Sequence, residues 1–86
     1  TMELAGQLAL VTGAGRGIGA AIARELASAG ARVLVHYSSS AATAEALAAE
    51  IGGIAIAADL RTPAGTDALI ASVLAVGTPT ILVNNA

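Results

Sequence analysis

The chain has no cysteine, no lysine, no tryptophan and no phenylalanine, and Tyr37 is its only residue of the Phe, Tyr and Trp class. Without cysteine there is no disulfide framework and no thiolate metal site, a composition that fits a reducing cytoplasm. With a single histidine, His36, a zinc site of the usual nitrogen and sulfur ligands has no ligand set. The absence of lysine excludes a P-loop, whose lysine reaches the nucleotide phosphates. Charge is also scarce: 12% of residues are charged and the net charge is −2. The four basic residues, Arg16, Arg24, Arg32 and Arg61, are scattered, so no basic footprint for nucleic acid exists. Despite 56% hydrophobic residues, glycines and charges break every apolar run before the roughly 18–20 residues that a membrane-spanning helix needs. The start, Thr1-Met2-Glu3, lacks the basic region of a secretory signal, and Met2 reads as the natural first residue.

What is abundant is Ala, Leu, Ile and Val, which suits close packing of helices on a sheet. At 86 residues the chain holds one small core and is short for a complete α/β domain. Short β-rich runs alternate with helical stretches. Gln7–Thr12 reads as a strand buried on both faces, because Leu8 to Val11 are continuously apolar. Gly17–Ala29 reads as a helix with Ile18, Ile22, Leu26 and Ala29 on one side, stopped by Gly30. A strand over Arg32–Tyr37 follows, then a serine loop, Ser38 to Ser40, that offers helix caps. The second helix, Ala41–Ile51, presents Ala44, Leu47, Ala48 and Ile51 and ends at Gly52-Gly53. Ile54–Ala58 is the third strand, finishing at Asp59. Thr62-Pro63 is an N-cap followed by proline at the first helical position. That helix has Leu69, Ile70, Val73 and Leu74 as its apolar face, and Gly77 closes it. Thr80–Val83 is the fourth strand, before Asn84, Asn85 and Ala86.

The order β-α-β-α-β-α-β with short connections implies parallel strands and right-handed crossovers. The expected fold class is α/β: a Rossmann-like parallel sheet of order 3-2-1-4 with helices on both faces, half of a doubly wound fold. Its switch point lies between the first and fourth strands, where the glycine-rich segment Thr12-Gly13-Ala14-Gly15-Arg16-Gly17-Ile18-Gly19 opens the first helix. A diphosphate is favoured at a helix N-terminus, where backbone N–H groups and the helix dipole meet negative charge. Gly13 suits the turn out of the strand, Gly17 a close phosphate approach, and Gly19 the contact between helix and sheet. The common Gly-x-Gly-x-x-Gly fingerprint fails from Gly13, because Ile18 occupies its sixth position; the spacing present is Gly13-x-x-x-Gly17-x-Gly19.

Thr12-Gly13-x-x-x-Gly17-x-Gly19 resembles the cofactor motif of the classical short-chain dehydrogenases/reductases. Asp59-Leu60 resembles the family's acidic pair after the third strand, which borders the adenine. Asn84-Asn85-Ala86 resembles the start of its Asn-Asn-Ala-Gly motif. These markers fall at the right strand ends and span nearly the whole chain. Thr-Gly-Ala-Gly-Arg-Gly-Ile-Gly and the Tyr-Ser-Ser-Ser stretch are most similar to 3-oxoacyl-carrier-protein reductases. The resemblance implies that residues 1–86 are an N-terminal NAD(P)-binding portion. Its cofactor contacts would be Gly13, Gly15, Arg16, Gly17, Ile18, Gly19, Tyr37, Ser38, Ser39, Asp59, Leu60, Asn84 and Ala86. The parent enzyme would be a homo-oligomer transferring hydride between NADP(H) and a carbonyl or alcohol, with a 3-oxoacyl thioester as one substrate class.

NADP is expected over NAD. Proteins that choose NAD place an acid at the end of the second strand for the ribose 2′-hydroxyl, whereas here that point is His36-Tyr37-Ser38. Arg16 pairs with a 2′-phosphate or is a solvated loop residue; Ser38 and Ser39 offer it hydrogen bonds. His36 reads as structural, Tyr37 as adenosine-facing or exposed, and Asp59 as an adenine contact or a cap. Arg61 reads as an ordinary solvated residue. The family's catalytic Tyr-x-x-x-Lys is not here, since Ala41 stands four positions after Tyr37. No catalytic residue is assigned, and this chain alone is expected to bind without turnover. The alternative is a stand-alone nucleotide-binding or scaffold module.

Overall fold

A computed structural model describes residues 3–85. Strands β1 (Leu8–Val11), β2 (Arg32–Tyr37), β3 (Ile54–Ala57) and β4 (Ile81–Val83) alternate with helices α1 (Gly17–Ser28), α2 (Ala41–Ile51) and α3 (Pro63–Val76). They form one parallel sheet of order β3-β2-β1-β4. The expected α/β fold, with its strand order, is the observed one. The expected strands are each trimmed by one or two residues, apart from β2, which keeps both ends.

Side chains alternate across the sheet, so each strand feeds two cores. Ala9 and Val11 of β1 and Val33 and Val35 of β2 point toward α1 and α2, where they meet Ala20, Ala23, Ala44, Leu47 and Ala48. Leu10, Leu34 and Ile56 point the other way, toward Leu69 and Val73 of α3. The helices therefore divide two against one, and the division follows the chain: both leftward crossovers run over one face, and the long return from β3 to β4 runs over the other.

Small residues carry the helical contacts. On α1 the buried positions are Gly19, Ala20 and Ala23. Ile18, expected on the apolar face, is instead 73% exposed. A β-branched side chain would hold the helix away from the sheet, whereas alanines let it approach. On α3, Leu69 and Val73 are buried, but Ile70 and Leu74 are exposed, as is Leu82 of β4. The expected four-residue face of α3 is thus half used.

Helix ends follow the local chemistry. Thr62 caps α3, its hydroxyl accepting the Gly65 N–H at 3.0 Å, with Pro63 at the first helical position. Gly52 ends α2 in the left-handed region. Ser40 precedes α2 but makes no side-chain cap bond; its carbonyl instead takes the Thr43 hydroxyl at 3.0 Å.

Candidate functional site

The site lies at the C-terminal ends of β1, β2, β3 and β4, where the crossovers from β1 and to β4 part to opposite faces. Open parallel sheets bind ligands at such a point. Its floor is the turn from β1 into α1. Arg16, at the N-cap, has extended backbone and no side-chain cap bond, and the first turn contains no acidic residue. The leading N–H groups of a helix have no intrahelical acceptors. Here neither a capping oxygen nor a carboxylate competes for them.

Two glycines of the turn answer to different constraints. Gly17 has φ +66, and a Cβ there would meet nothing within 4 Å. The backbone conformation demands glycine, and the helix start is bare at this position. Gly19 has the opposite surroundings: a Cβ would lie 2.6 Å from the Gly13 carbonyl oxygen and 2.6 Å from Asn85 Nδ2. Gly19 thus contacts the loop and the end of β4, more specifically than the expected helix–sheet contact. Gly15 is buried, its Cα facing the Ser40 side chain at the start of α2.

The loop is braced from both neighbouring strands. From β2, Nδ1 of His36 accepts the Gly13 N–H at 2.9 Å, and the His36 carbonyl accepts the Ala14 N–H at 2.9 Å. From beyond β4, the Asn85 side chain donates to the Gly13 carbonyl at 3.1 Å. The buried Thr12 hydroxyl accepts the Asn85 backbone N–H at 3.0 Å and lies 3.3 Å from Asn84 Oδ1, to which it donates.

Above this floor opens a cleft of about 710 Å³, lined by Gly13, His36, Ser38, Ser39, Asp59, Leu60, Arg61 and Asn84. Ser38 and Ser39 are exposed beyond β2. Leu60 packs partly against the α3-side core. Asp59 accepts from Arg61 three times: backbone N–H to Oδ1 at 3.0 Å, Nε to Oδ1 at 3.0 Å and Nη2 to Oδ2 at 3.1 Å. Hydrogen bonding from the Arg61 guanidinium, then from its backbone N–H, holds the Asp59 carboxyl below the usual carboxylate range. Asp59 also supports a turn, its carbonyl taking the Thr62 N–H at 3.5 Å.

The cleft thus gathers six expected residues, Gly13, Ser38, Ser39, Asp59, Leu60 and Asn84. Gly15 to Gly19 form the adjoining turn and helix start. Tyr37 is neither cleft-lining nor fully exposed; it packs partly against the α1–α2 core. Ala86 lies outside the described residues. Three residues of the site have partners that sequence reading does not supply, His36 among them although it reads as structural. His36 faces the cleft and joins two strand ends, Arg61 pairs with Asp59, and Asn85 bonds the Gly13 carbonyl. A bidentate partner two positions after Asp59 was the one available signal. Among the described residues no cluster of His, Cys, Asp and Glu could hold a metal, and no helix is long and apolar enough to cross a membrane.

Residues 7–86 match the family model for short chain dehydrogenases. The chain is 60% identical over 63 residues to short chain dehydrogenase/reductase AacuN of Aspergillus aculeatus, covering 67% of this chain and 24% of that protein. Among solved structures, it is similar to a short chain dehydrogenase from Burkholderia cenocepacia in complex with NADP. The TM-score is 0.87 and the identity 48%, over 98% of this chain and 37% of that one. It is also similar to the RhlG/NADP active-site complex of Pseudomonas aeruginosa. There the TM-score is 0.90 and the identity 40%, over 99% of this chain and 35% of that one. The chain therefore spans about a quarter to two fifths of the length of these proteins.

Proposed function

The chain belongs to the short-chain dehydrogenase/reductase family, and we propose that residues 1–86 form the N-terminal NADP-binding portion of such an oxidoreductase. The observation that carries this reading is the start of α1: uncapped, free of acidic residues in its first turn, and bare at Gly17. That arrangement fits a diphosphate. Around it, Gly13 to Gly19 would hold the pyrophosphate. Asp59, Leu60 and Asn84, with Ala86 and Tyr37 at the margin, would border the adenosine.

For the 2′-phosphate, the cleft offers the exposed Ser38 and Ser39, with Arg16 on the adjoining loop. Arg16 is a donor for phosphate, and no carboxylate lies at the end of β2 to repel it. Relatives solved with NADP support the same choice. When bound, the nicotinamide dinucleotide supplies hydride chemistry, and the protein binds and orients it. In the whole enzyme the reaction would be reduction of a carbonyl or oxidation of an alcohol. A homo-oligomeric, cytoplasmic protein completes the proposal, a location in keeping with its cysteine-free sequence.

Within these residues turnover is not expected, because no lysine is present to support a catalytic tyrosine. Calorimetric titration with NADP⁺ and NAD⁺ tests the proposal. Tighter binding of NADP⁺ is expected. Tighter binding of NAD⁺ would overturn the cofactor choice, and no binding of either would overturn the function.

A further inference from the structure

We infer that His36 is the positioning residue of the glycine loop, acting as a neutral imidazole protonated on Nε2, and that nucleotide affinity depends on its bare Nδ1. The consequence for affinity rests on the NADP-binding function proposed above. The state of the ring follows from its two partners. Nδ1 lies 2.9 Å from the Gly13 backbone nitrogen. A backbone N–H only donates, so Nδ1 carries no proton. Nε2 lies 3.0 Å from the Ala58 carbonyl oxygen, which only accepts, so Nε2 carries the proton. One tautomer satisfies both bonds, and an imidazolium would set N–H against N–H at Gly13.

The position of the ring gives this consequence. His36 is 2% exposed and sits near the end of the central strand β2. Its side chain joins the turn after β1 to the end of β3, while its carbonyl takes the next N–H of the loop, from Ala14, at 2.9 Å. Two successive loop N–H groups are thus fixed by one residue, at the point where Gly13 turns with φ +61. With those N–H groups engaged by His36, the N–H groups further along the loop would be the ones left to meet a ligand. His36 need not touch the nucleotide to control the loop that would hold it.

Two amide substitutions separate the two ring nitrogens. In His36→Asn the carboxamide oxygen stands close to the place of Nδ1 and can accept from Gly13, while the Ala58 bond is lost. In His36→Gln the longer side chain sends its N–H toward Ala58, and Gly13 loses its acceptor. NADP⁺ affinity of the Asn variant is expected within about threefold of the parent chain, and that of the Gln variant about tenfold weaker, as for loss of one buried hydrogen bond. Amide exchange at Gly13 should be slow in the parent and Asn chains and fast in the Gln chain. Long-range ¹⁵N–¹H spectra of the unsubstituted chain should show a protonated Nε2 and a bare Nδ1, a readout that needs neither variant nor nucleotide. A protonated Nδ1, or Asn and Gln variants alike in Gly13 exchange and affinity, would overturn the inference while leaving the function standing. Failure of the unsubstituted chain to bind NADP⁺, with the tautomer and Gly13 protection as described, would remove the function and the affinity claim but retain the positioning of the loop.

Discussion

The Asn85 side chain donates to the Gly13 carbonyl at 3.1 Å, although 72 positions separate the two residues. The end of the last strand therefore holds the turn after the first. Thr12 strengthens the same junction by accepting the Asn85 backbone N–H. Replacing Asn85 with Ala removes the side-chain bond and leaves the backbone one. The expected loss is about 1 kcal/mol in urea unfolding, with NADP⁺ affinity lowered about threefold to tenfold. Unchanged stability and affinity would show that the Asn85 contact does not set the loop.

The two constrained glycines should fail differently. Gly19→Ala forces a Cβ against the Gly13 carbonyl and the Asn85 amide, and overpacking of this kind costs about 1–3 kcal/mol. Gly17→Ala meets open space but must adopt a left-handed conformation, at about 1–2 kcal/mol. In the proposed site its methyl group would also stand in the space kept for a phosphate. At matched folded fractions, the Gly17 variant should lose more nucleotide affinity per unit of lost stability. Thermal unfolding and titration of both variants give that comparison directly.

Cofactor choice should reverse with one carboxylate. Ser38 lines the cleft beyond β2, in a region without acids between Glu25 and Glu45. Ser38→Asp is expected to weaken NADP⁺ at least about tenfold through like-charge repulsion, and to leave NAD⁺ unchanged or tighter. Parallel titrations with the two nucleotides check the outcome.

Arg61 holds the Asp59 carboxyl below its ordinary value of 3.8. A lowered folded-state pKa stabilises the fold above the unfolded-state pKa, and that contribution disappears as pH falls through the folded value. The pair is exposed, with the Arg61 side chain 91% accessible, so salt should weaken it. In Arg61→Gln the Asp59 titration should move up toward the ordinary carboxylate value. Carboxyl ¹³C shifts followed against pH measure this, and an unmoved titration would mean that the ion pair does not form in solution.

Much of this architecture was legible in the sequence because it is written in local chemistry. Thr62 and Pro63 mark the start of α3, Gly52 ends α2, and the apolar runs of β1 and β2 require a sheet covered on both faces. The glycine spacing marked the turn from β1 into α1. What local pattern could not convey was direction across the fold. Ile18 shares the helical spacing of Ile22 and Leu26, yet it points outward because Ala20 and Ala23 bring α1 onto the sheet. Tyr37 and Ser38 are neighbours in sequence, but strand alternation sends Tyr37 toward the core and leaves Ser38 at the cleft. The partners of His36 lie at positions 13 and 58, and only the pairing of β1, β2 and β3 brings them to its two ring nitrogens.

The central claim is that a dinucleotide phosphate binds the turn from β1 into α1. Amide ¹⁵N–¹H spectra of the chain during NADP⁺ addition test it most directly. The largest shifts are expected at Gly13 to Gly19, with further shifts at Ser38, Ser39 and Asp59. Shifts confined to the exposed Ile70, Leu74 and Leu82 of α3 and β4, or no shifts at saturating nucleotide, would contradict it.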